Sequence, residues 1–148
     1  MRAWYFPLIL LTLAACSPAE KPSSTLQLDE LQGQWVVINY WAIWCKPCIQ
    51  EIPELNKLAE LPQVTVLGVN YDGLTGEELD QQLAKLGVAF HTLETDPAAQ
   101  LGIARPVVLP TSLIVNPQGQ LSDTLVGPQT LETLATATRQ TPPGRTDE

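Results

Sequence analysis

WAIWCKPCIQEIP, residues 41–53, holds two of the chain's three cysteines three positions apart, flanked by Trp44 and Pro53. On its N-terminal side, QWVVINYWA from Gln34 is a nearly unbroken β-branched and aromatic run. Such a run predicts a strand buried on both faces. On its C-terminal side, CKPCIQEIPELNKLAEL places Ile49, Ile52, Leu55, Leu58, Ala59 and Leu61 at helical spacing. Pro47 falls in the first turn, where a missing N–H costs nothing, and Pro53 in the interior predicts a kink. The two cysteines therefore stand where a strand gives way to a helix.

Three chemistries fit a Cys-x-x-Cys pair. A purely structural disulfide would close one of the smallest loops possible and stabilise by at most about 2 kcal/mol. A zinc site needs four ligands, and the chain offers only His91 besides the pair and Cys16. His91 reads as a surface or sheet-edge residue. A redox couple fits position as well as spacing. Cys45 at the helix N-terminus meets unsatisfied N–H groups and the positive end of the helix dipole. Those lower a thiol pKa from about 8.5 towards 7, which takes roughly 2 kcal/mol. Lys46 adds little. Cys48, one turn into the helix, is expected to be buried and placed to attack a mixed disulfide on Cys45.

Further along, VTVLGVNY (64–71) is a second buried strand. TGEELDQQLAKLG (75–87) is a helix with Thr75 as N-cap, Glu77 and Glu78 in the first turn and Gly87 as terminator. AFHTL (89–93) predicts a short strand and DPAAQLGI (96–103) a short capped helix. TSLIVNPQGQLSDTLVG (111–127) reads as a hairpin about an Asn-Pro-Gln-Gly turn, and PQTLETLATAT (128–138) as a last helix. Helical crossovers imply a sheet with a parallel part, and the closing hairpin adds antiparallel strands. The fold class is α/β, one domain over residues 26–138, followed by a disordered tail, 139–148.

The chain opens with Arg2 and an apolar run, residues 4–13, too short to span a bilayer but suited to a signal peptide over residues 1–15. A polar tether reaches to residue 25. Sixteen acidic against eight basic residues give a formal charge of −8, with no basic cluster, which excludes binding nucleic acid through its phosphates.

The sequence resembles the thioredoxin superfamily, and within it the membrane-tethered TlpA/ResA/CcmG-like branch, over roughly residues 26–138. NYWAIWCKPC, with Trp44 before the first cysteine, resembles the family's active-site segment. Pro53 matches its helix-kinking proline, and Leu109-Pro110-Thr111 its cis-proline loop. The spacing from Cys45 to Pro110 matches the extra helical insertion of this branch. The resemblance implies a thioredoxin fold and catalysis by Cys45 and Cys48, supported by Trp44, Lys46 and Pro47. It also implies that Leu109 and Pro110 present backbone groups to an extended substrate by strand addition. Glu51, in CxxCxxExP, matches a glutamate proposed to handle the proton of the buried thiol; the alternative is a solvated helix residue. Asn39 stands where thioredoxin proper has a buried aspartate.

Leu13-Ala14-Ala15-Cys16 also resembles a bacterial lipobox, which implies lipidation of Cys16; plain secretion is the competing reading. The implied protein is a monomeric oxidoreductase anchored in the cell envelope and facing the periplasm, with the outer membrane favoured by Ser17. Its substrates are protein disulfides or dithiols, its electron donor a membrane thiol carrier, and its setting cytochrome c maturation or copper-centre assembly. No cofactor or metal is needed, because the cysteines carry the electrons. Two other classes compete: a thioredoxin-fold copper-delivery protein, whose relatives use Cys-x-x-x-Cys with a distal His, and a non-catalytic tethered adaptor. A peroxidase would want a lone cysteine ahead of another helix, and none is present.

Overall fold

Strand β1 (Trp35–Trp41) is the centre of a five-stranded sheet in a computed structural model that describes residues 28–141. It pairs in parallel with β2 (Val64–Asn70) and antiparallel with β4 (Thr111–Val115). Outside these lie β3 (His91–Leu93), parallel to β2, and β5 (Leu121–Val126), antiparallel to β4, in the order β3-β2-β1-β4-β5. The parallel β1/β2 pair requires a crossover, which helix α1 (Lys46–Ala59) supplies. Helix α2 (Gly76–Leu86) crosses from β2 to β3, and α3 (Leu131–Ala137) follows β5.

The alternation along β1 sorts its side chains between two faces. Val36, Ile38 and Tyr40 join Leu67, Leu113 and Val115 on one face. Val37 meets Leu55 and Leu58 of α1 and Leu134 of α3 on the other. Asn39 and Trp41 share that second face by parity, so a polar and an aromatic side chain of β1 both look towards α1. The order α/β, the mixed sheet and a helix between α1 and the Pro110 loop are as the sequence implies.

Some local expectations change. Residues 96–103 form a single closed turn and no helix. Leu101 N–H donates to Pro97 C=O, then Gly102 and Ile103 fold back on Ala99 and Ala98, with Gly102 at φ 70° ending the turn where a Cβ would resist. Thr75 has the extended backbone of an N-cap, but its side chain caps nothing, while Gly87 terminates α2 at φ 67° as expected. Ile49 is exposed, because it lies roughly 120° around α1 from Leu55 and off the stripe made by Cys48, Glu51, Ile52, Leu55 and Leu58. Leu28–Leu31 forms a 3₁₀ turn that the pattern does not announce. Arg139 and Gln140, placed in the tail by composition, close α3 through N–H bonds to Thr136 and Ala135. The expected signal peptide (1–15), the expected lipidation at Cys16, the tether to residue 25 and the segment 142–148 lie outside the described residues. No helix among the described residues is long and apolar enough to cross a membrane.

Candidate active site

Cys45 is the N-cap of α1, and its Sγ accepts the Cys48 backbone N–H at 3.3 Å. The turn that carries it is closed by Cys45 N–H to Ala42 C=O and by Ile49 N–H to Cys45 C=O. Pro47 fits because it lies in the first helical turn, where no intrahelical donor is needed. The two sulfurs form a disulfide. Cys45 is 5% exposed and Cys48 1%, so Cys45 is the outer of a pair that is largely covered. Trp41, Ala42 and Leu79 make the apolar floor beneath them, with Leu109 packed against it. On reduction, a thiolate at Cys45 would keep an N–H donor and the positive end of a helix dipole.

Glu51, one turn beyond Cys48 on the same buried stripe, is 1% exposed. Its Oε2 accepts from Asn39 Nδ2 at 3.2 Å and its Oε1 from the Gln129 backbone N–H at 3.1 Å. Asn39 Nδ2 also donates to Ser112 Oγ at 3.0 Å, which ties the carboxyl to both β1 and β4. Burial pushes the Glu51 pKa up to about 7, against the opposing pull of those two N–H bonds. A carboxyl poised there can take or give a proton near neutral pH. Glu54, one turn further and at the surface, is instead held below the usual carboxylate range by Lys57 and the Leu131 N–H.

The Leu109–Pro110 peptide is cis, as the resemblance implies. Pro110 C=O accepts from Gly127 N–H at 2.9 Å, and Thr111 Oγ1 donates to Val108 C=O at 2.8 Å. Trp44 lies open to solvent, with its Nε1 donating to both Asp72 carboxylate oxygens at 3.0 and 3.1 Å. Lys46 is exposed. The structure thus gathers Cys45, Cys48, Trp44, Leu109 and Pro110 in one place, with Glu51 beneath. His91 is an exposed residue of edge strand β3, away from this cluster.

Residues 13–124 match the AhpC/TSA family. The chain belongs to that family. It is 30% identical over 118 residues to thiol-disulfide oxidoreductase ResA of Oceanobacillus iheyensis, covering 78% of this chain and 61% of that protein. It is 35% identical over 108 residues to thiol:disulfide interchange protein DsbE of Allochromatium vinosum, covering 72% of this chain and 59% of that one. The chain therefore spans a little under two thirds of these relatives' length. Among solved structures, a secreted thiol-disulfide isomerase from Corynebacterium glutamicum superposes with TM-score 0.63 at 25% identity, covering 75% of this chain and 72% of that one. These likenesses bear out the resemblance to the thioredoxin-like ResA group.

Within this AhpC/TSA-family chain, the sequence pattern points to the cysteines, Glu51 and the Pro110 loop but not to their supports. The Gln129 donor is a backbone group, which no side-chain pattern can mark. Ser112 is one residue of a strand. Tyr71 and Asp72 had a usable signal, since they follow directly on β2, at the carboxyl end of the parallel strands where sites gather.

Proposed function

We propose that this chain is a thiol–disulfide oxidoreductase of the bacterial cell envelope, reducing protein disulfides through Cys45 and Cys48. The observation that carries it is the Cys45 sulfur capping α1 on the Cys48 N–H, with a buried carboxyl one turn away at Glu51. The reduced protein starts with Cys45 as thiolate. It attacks one sulfur of the substrate disulfide, and the other leaves as a thiolate that takes a proton from water. Cys48 then gives its proton to the Glu51 carboxylate and attacks Cys45 Sγ. The second substrate thiolate departs, and two electrons have passed to the substrate. The Leu109 backbone, beside the cysteine cluster, would pair with the extended substrate segment during both steps.

The names of the relatives support the exchange reading, and the signal-like first fifteen residues and the lipobox-like segment 13–16 support attachment through Cys16. A membrane thiol carrier would return the electrons, and the substrates would be disulfides formed during cytochrome c maturation or copper-centre assembly. The test is trapping. Cys48→Ser should accumulate a mixed disulfide on Cys45 with a disulfide-bonded peptide, and Cys45→Ser should accumulate none. Equal trapping by both variants, or by neither, contradicts the assignment. Metabolic labelling with a fatty acid, lost in Cys16→Ala, tests the anchor.

A further inference from the structure

Two irregular segments wall the Cys45–Cys48 site. One follows β2 and carries Tyr71 and Asp72, against which Trp44 rests. The other runs from Arg105 through Val107 and Val108 to Pro110. Each is tied to the sheet at one end only: Tyr71 N–H donates to Trp41 C=O at 2.8 Å, and Pro110 C=O accepts from Gly127 N–H at 2.9 Å.

Arg105, at the start of the second segment, is bonded to the first and to Asp96. Its Nη2 donates to Tyr71 C=O at 2.7 Å, and its guanidinium carbon lies 4.1 Å from the centre of the Tyr71 ring. Its Nε lies 2.8 Å from Asp96 Oδ2. Asp96 is anchored in turn, because its Oδ1 accepts the Tyr40 hydroxyl at 2.6 Å and the Ala98 N–H at 2.9 Å. Tyr40 is a fully buried residue of β1. Stacking, a carbonyl bond and an ion pair at one side chain require a planar guanidinium, which lysine cannot replace. The Tyr71 ring passes the constraint on, meeting Trp44 edge to face with centroids 6.4 Å apart.

What this grip immobilises is not core. Trp44 is 63% exposed, Val107 86% and Val108 51%. Holding apolar side chains rigidly in solvent does little for folding but prepares a surface for a partner. We propose that Arg105 is a positioning residue for polypeptide substrates. Through Tyr71 and Asp96 it fixes Trp44 and segment 107–110 as one preformed rim beside the dithiol. This rests on the exchange reading above and adds the means by which a polypeptide is favoured over a small disulfide.

The test compares a disulfide-closed extended peptide with oxidised glutathione, which offers much less chain for the rim to contact. Ordering a rotamer-rich side chain on binding weakens affinity by roughly two- to tenfold. Arg105→Gln should therefore raise the KM for the peptide about three- to tenfold with little change in kcat. The peptide-to-glutathione ratio of kcat/KM should fall at least about threefold, and the near-ultraviolet dichroism of Trp44 should weaken. Arg105→Lys should recover only part of the ratio. If Arg105→Gln does not fold, Asp96→Asn keeps an acceptor for Tyr40 while removing the ion pair, and it should shift the ratio in the same direction. An unchanged ratio in the folded variant overturns the proposal, whether both probes slow equally or neither slows. Failure of the wild-type protein to exchange with either probe would instead refute the exchange reading itself.

Discussion

Asn39 Nδ2 donates a 3.2 Å hydrogen bond to Glu51 Oε2 where each residue is only 1% exposed. The same nitrogen donates to Ser112 Oγ, so both amide hydrogens are used and the side chain has one orientation. Asparagine cannot accept the proton that an aspartate at this position would share. It can only tune the carboxyl that does titrate. In the proposed exchange reaction, proton handling in the buried half of the site would fall to Glu51, and the first three predictions concern that pair.

Stability should fall as pH rises through neutrality. Glu51 has a pKa of about 7 in the fold against 4.5 unperturbed, so the folded state binds the extra proton between those values. Its contribution is fully present below pH 4.5 and is lost as pH rises through about 7. The largest loss is roughly 3 kcal/mol. Denaturant unfolding of the oxidised protein across this range should show the slope, and Glu51→Gln should flatten it. Parallel curves for the two proteins would remove the linkage.

The exchange reaction should carry the same signature. Resolution of a Cys45 mixed disulfide by Cys48 is expected to show an inflection near pH 7 that Glu51→Gln abolishes. The rate below the Cys48 thiol pKa should drop tenfold or more, on the order expected for loss of a general base. Rapid-quench measurement of mixed-disulfide decay against pH would read this. An identical profile in the variant would leave Glu51 without a part in proton transfer.

Asn39→Asp would place a second carboxyl against Glu51. Two buried carboxyls in contact cannot both ionise, so one pKa rises further. We expect a destabilisation of roughly 2 kcal/mol at neutral pH that shrinks at pH 5, where one proton is shared. Unfolding midpoints at the two pH values check this. A penalty that is larger at pH 5 would contradict it.

Gly68 of β2 marks a close approach beneath the site. A Cβ there would sit 2.7 Å from Thr92 Oγ1, 2.9 Å from Trp41 Nε1 and 3.1 Å from Phe90 Cε2. Gly68→Ala should cost about 1–3 kcal/mol, as overpacking does. Trp41 packs with both cysteines, so exchange kinetics should change as well. Urea unfolding with an unaltered midpoint would contradict the packing.

How much of this was legible beforehand depended on what kind of atom did the work. Strand β1 and helix α1 announced themselves because long apolar runs and the 3.6-residue period leave few alternatives. The cysteine pair, Pro110 and Glu51 were marked by residue types with distinctive chemistry. Helix faces were harder: Ile49 shares the apolar spacing yet lies exposed because the buried stripe centres on Leu55, and Glu51 was open to either role until its burial was seen. Residues 96–103 read as a helix because nothing local shows that Gly102 adopts a left-handed conformation after one turn. Arg105 carried no pattern at all, since its partners Tyr71 and Asp96 come from different connections and meet only in the fold.

The turn at the start of α1 should ionise Cys45 near neutral pH. Alkylation of the fully reduced protein by iodoacetamide, followed against pH and located by mass spectrometry, tests it most directly. Modification is expected at Cys45 first, with a half-maximal rate near pH 7, about 1.5 units below an ordinary thiol. A half-maximal rate at about 8.5, the value of a cysteine in solution, would contradict it.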